Sequence, residues 1–240
     1  MKRLAFVTGG TRGIGEGICQ ALQDDGYQVV TSYVSNDERA AQFSRRTGIE
    51  CFKFDVGDFE ACGIAVAKIG DKYGPISVLV NNAGITRDSA FRNLSLEDWQ
   101  RVIDTNLGGV FNLSRLIFPA MASAGYGRIV NISSVNGLCG MYGQANYAAA
   151  KSGMVGFTKT LALEGAKYGI TANVLAPGYV ETEMLKSIPD NVMEKILAKI
   201  PLGRLAQIAE VARGVTFLAS EQAGFITGST LSINGGQYLQ

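Results

Sequence analysis

Histidine is absent from this chain of 240 residues. That excludes a Ser-His-Asp triad and every histidine-ligated metal site, so acid–base chemistry must come from Tyr, Lys, Asp, Glu or Cys. Cysteine is sparse: Cys19, Cys51, Cys62 and Cys139 are scattered, with no CxxC pair and no metal-ligand spacing. They read as small, buried, reduced side chains, and no metal is expected. Charge of one sign is lacking too. Lys plus Arg number 22 and Asp plus Glu 21, which argues against a nucleic-acid partner. No run approaches the ~18 apolar residues of a membrane span. At the N-terminus, Lys2 and Arg3 precede only a short apolar run before the first glycines, which reads as a first strand and not as a signal peptide. The expectation is a soluble, cytoplasmic protein with no membrane partner.

What is there is a chain 47% hydrophobic, enough for a sizeable core. Short apolar runs alternate with longer amphipathic segments. Strands are predicted at residues 4–8, 28–33, 51–54, 78–81, 128–132, 171–175 and 229–233. Helices are predicted at 13–24, 37–46, 59–73, 96–122 with a break or bend, 147–168 and 207–220. This alternation predicts a single α/β domain: a doubly wound, Rossmann-type parallel sheet with helices on both faces. Val78-Leu79-Val80 and Ile129-Val130 lack polar alternation, as strands covered on both faces should. Residues 180–201 stand apart. They follow a strand, carry local charge including Lys186, Lys195 and Lys199, and are bracketed by Pro177-Gly178 and Pro201. They are expected to form a mobile, partly helical lid.

Between the first strand and first helix lies Thr8-Gly9-Gly10-Thr11-Arg12-Gly13-Ile14-Gly15. Glycines let a backbone approach a pyrophosphate closely, and a helix N-terminus offers free N–H groups and a favourable dipole. Enzymes that use NAD usually carry an acid at the tip of the second strand to hold the ribose 2′-hydroxyl. The tip here has none, and the nearest acid is Asp37. Either Arg12 or Arg39 could pair with the 2′-phosphate of NADP.

Further along come Asn81-Asn82-Ala83-Gly84, Asn106, Ser134, Tyr147-Ala148-Ala149-Ala150-Lys151 and Pro177-Gly178, in that order. With the glycine loop they resemble the short-chain dehydrogenase/reductase family over essentially the whole chain. Independently of that resemblance, Tyr147 and Lys151 are four apart on a predicted helix and share one face. A phenol titrates near ~10, and a lysine ammonium one turn away is expected to lower it. With no histidine available, this pair is the leading acid–base candidate.

The resemblance implies more. Ser134, 13 residues before Tyr147 and preferred over Ser133 on that spacing, would polarise a substrate carbonyl. Asn106 would hold a water linking Lys151 to solvent, and Lys151 would also bond the nicotinamide ribose. Gly9, Arg12, Gly13, Ile14, Gly15 and Arg39 would hold the phosphates of NADPH/NADP. Asp55 and Val56 would flank the adenine, and Asn82, Ala83, Gly84 and Ile85 the adenosine and ribose. Pro177, Gly178, Val180 and Thr182 would touch the carboxamide, and Tyr147 and Lys151 complete the cofactor contacts.

Two groups within the family match best: reductases of 3-oxoacyl-CoA, as in polyhydroxybutyrate metabolism, and of 3-oxoacyl-ACP, as in fatty-acid synthesis. Ile85-Thr86-Arg87-Asp88, Val135-Asn136-Gly137 and Gly178-Tyr179-Val180 favour the acyl-CoA substrate, acetoacetyl-CoA first, with an (R)-3-hydroxyacyl product. Asp88, Ser134, Met141, Tyr142, Gln144, Tyr147 and Tyr179 would then contact substrate. Met141 stands where a polar residue is expected, and Pro189 where a basic one is. A non-catalytic NADP-binding regulator on the same fold would predict a broken tetrad, yet Asn106, Ser134, Tyr147 and Lys151 are all intact. The family also implies a homotetramer.

Overall fold

The computed structural model describes residues 2–183 and 189–239. Seven strands form one parallel sheet: β1 (Leu4–Val7), β2 (Gln28–Tyr33), β3 (Glu50–Lys53), β4 (Ile76–Asn81), β5 (Gly127–Ile132), β6 (Ile170–Pro177) and β7 (Thr230–Ile233). Their order is β3-β2-β1-β4-β5-β6-β7. The order reverses between β1 and β4, and ligands of such sheets bind in the crevice beyond the strand ends at that switch point. The glycine loop leaves β1 there and the Asn81–Gly84 motif leaves β4 there.

Helices α1 (Gly13–Asp24), α2 (Asp37–Thr47) and α9 (Ile208–Ala219) cover one face. Ile18, Leu22, Phe43, Val211 and Val215 meet Ala5, Val29, Val78 and Val130 in that layer. Helices α3 (Phe59–Tyr73), α5 (Gly109–Ala124) and α7 (Ala145–Gly165) cover the other, where Ile69, Leu113, Ile117 and Ala162 pack on Phe6, Leu79 and Ile129. Burial on both faces is why the central strands read as unbroken apolar runs.

The predicted helix over 96–122 is broken as expected. Helix α4 (Leu96–Ile103) passes into a π turn over Asp104–Gly108 before α5 begins. The short α6 (Val135–Cys139) and a 3-10 turn at Phe91–Asn93 were not anticipated; five and three residues give too little periodicity to read. In the proposed lid, α8 (Asp190–Leu197) is helical and contains no buried residue. Lys186 lies outside the described residues. Among the described residues no helix is long and apolar enough to cross a membrane, and no cluster of three or more Cys, Asp or Glu could hold a metal.

Candidate active site

The loop after β1 is shaped by hydrogen bonds to neighbouring strands. Thr31 Oγ1 accepts from Gly10 N at 2.9 Å and donates to the Val7 carbonyl at 2.7 Å. Gly9 and Gly13 take φ of 65° and 55°, which glycine adopts without strain. A side chain on Gly15 would strike the Gly9 carbonyl at 2.4 Å, so this glycine is needed for close packing. A side chain on Gly13 would meet only Thr182, at 3.9 Å. Helix α1 starts without a side-chain cap, leaving its first N–H groups facing the loop. A glycine-lined approach to an uncapped helix N-terminus suits a dinucleotide pyrophosphate.

Thr8, the residue before the glycines, joins this loop to the end of β4. Its Oγ1 accepts from Asn82 N at 2.9 Å and Ala83 N at 2.8 Å. The Asn82 amide in turn donates to the Thr8 carbonyl at 2.9 Å. At the far end of that segment, both polar atoms of the Asn106 side chain engage the main chain of one residue. Oδ1 accepts from Ile85 N at 2.8 Å and Nδ2 donates to the Ile85 carbonyl at 2.9 Å. Asn106 sits fully buried in the π turn, an element that often marks functional sites. A Cβ on Gly84 would lie 3.2 Å from Asn106 Oδ1 and 3.6 Å from Lys151 Nζ, so the two motifs converge here.

Helix α7 brings Tyr147 and Lys151 to the same place, with Nζ 5.6 Å from the phenol ring centre. Lys151 is buried and donates to the Ile132 carbonyl at 2.7 Å. Ser134 is the N-cap of α6, its Oγ accepting from Asn136 N at 3.2 Å. Ser133 is buried and donates to the Lys151 carbonyl at 2.8 Å, so it braces α7 and is not open to substrate.

Burial pushes the Lys151 ammonium down to about 8. The Tyr147 phenol moves the other way. Burial is the main cause of its rise, an interaction with the Ser134 hydroxyl offsets part of it, and the Asp88 charge adds to it. This corrects the expectation that the lysine lowers the phenol. Both groups have lost water, and each therefore favours its neutral form. A neutral phenol is the form that can give a proton to a ketone oxygen, so the shift favours the acid needed for reduction.

A profile described as enoyl-(acyl carrier protein) reductase matches residues 9–237. The chain is 54% identical over its full length, and the relative's, to a protein of Rhizobium meliloti (strain 1021) named acetoacetyl-CoA reductase. It is 51% identical to a protein of the same name from Paracoccus denitrificans, with both chains fully covered. It is 43% identical to the 3-oxoacyl-(acyl-carrier-protein) reductase FabG of Escherichia coli (strain K12), over 99% of this chain and 98% of that one. The chain belongs to the short-chain dehydrogenase/reductase family.

The family's oxidoreductases use a nicotinamide cofactor, and several residues expected to touch it do other work in this short-chain reductase. The Asn82 amide is spent on the glycine loop, so it shapes the loop from behind. The Asn106 side chain is spent on Ile85; a water relay there would have to use its main chain. The side chains of Val56 and Val180 are buried in the two apolar layers, which leaves only their backbones for a ligand. Val180 pairs with Ala206 in an isolated bridge. Asp55 accepts from Gly57 N and from Arg101, each at 2.9 Å. Arg39 forms an ion pair with Glu183 at 2.7 Å. Arg12 is exposed, and no ion pair to it is found among the described residues.

Gly178 is confined: a side chain there would lie 2.9 Å from the Asn234 Cα. Tyr179, half-buried, has its phenol pushed up by burial and by the nearby Cys139 and Asp88. Gln144 joins them by donating to Asp88 at 2.8 Å. Met141 is partly buried, while Tyr142 is 89% exposed. The cleft lined by Tyr179, Leu202, Arg204, Glu210 and Asn234 shares only Tyr179 with the expected substrate contacts.

Proposed function

We propose that this protein reduces the 3-keto group of a small 3-oxoacyl thioester, acetoacetyl-CoA first, to the (R)-3-hydroxyacyl-CoA, with NADPH as reductant. The observation that carries the reading is the convergence of Tyr147, Ser134 and Lys151 beside Gly84 at the sheet's switch point. The names of the most similar relatives support the CoA thioester.

The backbone of Gly9, Gly13, Ile14 and Gly15 would hold the pyrophosphate. Arg12, exposed at the N-cap of α1, is the better partner for a 2′-phosphate, since Arg39 already pairs with Glu183. Asp37, the nearest acid, is engaged by Lys53 at 2.8 Å and Tyr33 at 3.0 Å, and these bonds hold its carboxyl below the usual range. That pairing reduces its repulsion of a phosphate. Bound at that site, the cofactor supplies hydride to the ketone carbon. Ser134 donates its O–H to the ketone oxygen, and Tyr147 gives that oxygen the proton that completes the alcohol. Lys151, with an ammonium titrating at about 8, can return a proton to the phenolate near neutral pH.

Four unpaired cysteines support action in a reducing compartment, and we place the enzyme in the cytoplasm. Exposed Leu163 on α7, Phe111 on α5 and Phe217 on α9, with Phe225 beyond, support burial in a homotetramer.

The test is a rate comparison across NADPH, NADH, acetoacetyl-CoA and acetoacetyl-ACP. The highest kcat/KM is expected with NADPH and acetoacetyl-CoA. A higher value on the ACP substrate reverses the substrate order and favours a role in fatty-acid synthesis over polyhydroxybutyrate formation. Unchanged turnover by Tyr147→Phe refutes the mechanism.

A further inference from the structure

Asn136, which lies outside the expected set of site residues, stands where two hydrogen-bond paths meet. Its main-chain N–H donates to Ser134 Oγ at 3.2 Å. This occupies a lone pair of the hydroxyl and leaves the Ser134 O–H proton to point elsewhere. Its side-chain Nδ2 donates to Gln144 Oε1 at 2.9 Å, and Gln144 Nε2 donates to Asp88 Oδ2 at 2.8 Å. The loops carrying these residues are tied together by Ser89 N donating to the Gly143 carbonyl at 2.8 Å, and by Asn146 Nδ2 donating to the Arg87 carbonyl at 3.0 Å.

The direction of this chain is set at one end. An ionised carboxylate only accepts, so Gln144 must turn its NH₂ toward Asp88 and its oxygen toward Asn136. Asn136 must then turn its NH₂ toward Gln144. Its Oδ1 is left buried, with no partner among the described residues. A buried amide acceptor held without a partner is costly, and such groups concentrate where function requires them.

We propose that Asn136 is a positioning residue for the reduction: its main chain orients the Ser134 hydroxyl, and its amide is locked in one orientation by the polarity of the Asp88–Gln144–Asn136 chain. The assignment rests on the proposed reduction at Ser134 and Tyr147 and adds to it the group that aims Ser134. Asp88, exposed at the mouth, thereby communicates with Ser134 through two amides.

Reversing the polarity tests the idea. In Asn136→Asp, a carboxylate meets the Gln144 oxygen. If Gln144 turns over, its oxygen meets Asp88 instead, so neither orientation satisfies the chain. In the double variant Asp88→Asn/Asn136→Asp, the same three positions can bond in the opposite direction. The expected result is a loss of about 100-fold in kcat/KM for Asn136→Asp in the wild-type background, mainly in kcat. In the Asp88→Asn background the same change should cost about tenfold less. Melting temperatures should show the same coupling without substrate. Equal costs in both backgrounds, in rate and in melting, overturn the locked chain. A wild type inactive on every 3-oxoacyl thioester overturns the reduction instead, while the melting cycle still decides whether Asp88 sets the amides.

Discussion

Lys151 allows a prediction whose magnitude comes from the fold. The ammonium is buried and has one hydrogen bond, to Ile132. Its titration falls from an ordinary 10.5 to about 8, with burial as the cause. The sign follows from proton counts. Below pH 8 both folded and unfolded chains hold the proton, and the folded state bears the full cost of the buried charge. Between 8 and 10.5 the unfolded chain still holds a proton that the folded chain has lost, so stability rises with pH. Two and a half decades at 1.36 kcal/mol each correspond to about 3 kcal/mol. Lys151→Met removes that cost and loses a hydrogen bond worth ~1–3 kcal/mol to a buried carbonyl. The variant should therefore be inactive yet equal to or up to ~2 kcal/mol more stable than wild type at pH 7. Its advantage should shrink by about 3 kcal/mol as pH rises to 10.5. Urea unfolding of the pair at half-unit steps from pH 6.5 to 10.5 measures this, because other titrating groups cancel in the difference. Repeating it on a Tyr147→Phe background removes the phenol whose ring lies 5.6 Å from the ammonium. A difference between the two proteins that stays flat across this range refutes the claim that Lys151 is a buried charge carried at the expense of stability.

The parts of the site legible in the sequence are those encoded over short distances. The glycine loop occupies eight consecutive residues. Tyr147 and Lys151 are one helical turn apart, and Ser134 lies two residues beyond a strand whose apolar run is plain. The parallel sheet was equally legible, because strands buried on both faces leave uninterrupted Val, Leu and Ile. What was hidden depends on residues far apart in the chain. Glu183 claims Arg39 from 144 positions away. Asn82 reaches back 74 residues to Thr8, and nothing local distinguishes an amide that lines a ligand from one that braces a loop. The phenol's shift was misjudged for the same reason. A charged neighbour can be read from spacing, whereas the loss of water around Tyr147 and Lys151 exists only once α6, α7 and β5 have assembled. Thr8 left a faint trace, as a polar residue closing an apolar strand. Asn136 stood in a segment that pointed to the substrate class, but its own role appears only with Gln144 and Asp88 beside it.

The two adjacent serines should separate stability from chemistry. Ser134→Ala is expected to lower kcat at least 100-fold while changing unfolding free energy by less than ~1 kcal/mol, because its hydroxyl accepts only one main-chain bond at a helix cap. Ser133→Ala should do the reverse, costing about 1 kcal/mol in urea melts by removing the buried hydrogen bond that ties the end of β5 to the Lys151 carbonyl of α7. If both variants lose activity in proportion to stability, the division of labour between them is wrong. Asn106→Ala carries the sharper consequence, because it releases the Ile85 N–H and the Ile85 carbonyl at once. Two part-buried hydrogen bonds amount to about 2 kcal/mol of stability. The freed peptide belongs to the segment that meets Lys151 at Gly84, so the affinity for the dinucleotide should fall along with the melting point. Fluorescence titration with NADPH reads that affinity without turnover. A weakened cofactor with an intact Tyr147 titration would assign Asn106 to holding the β4 loop. Unchanged cofactor affinity with a collapsed kcat would instead implicate the Asn106 side chain in proton transfer, since alanine keeps the main-chain carbonyl.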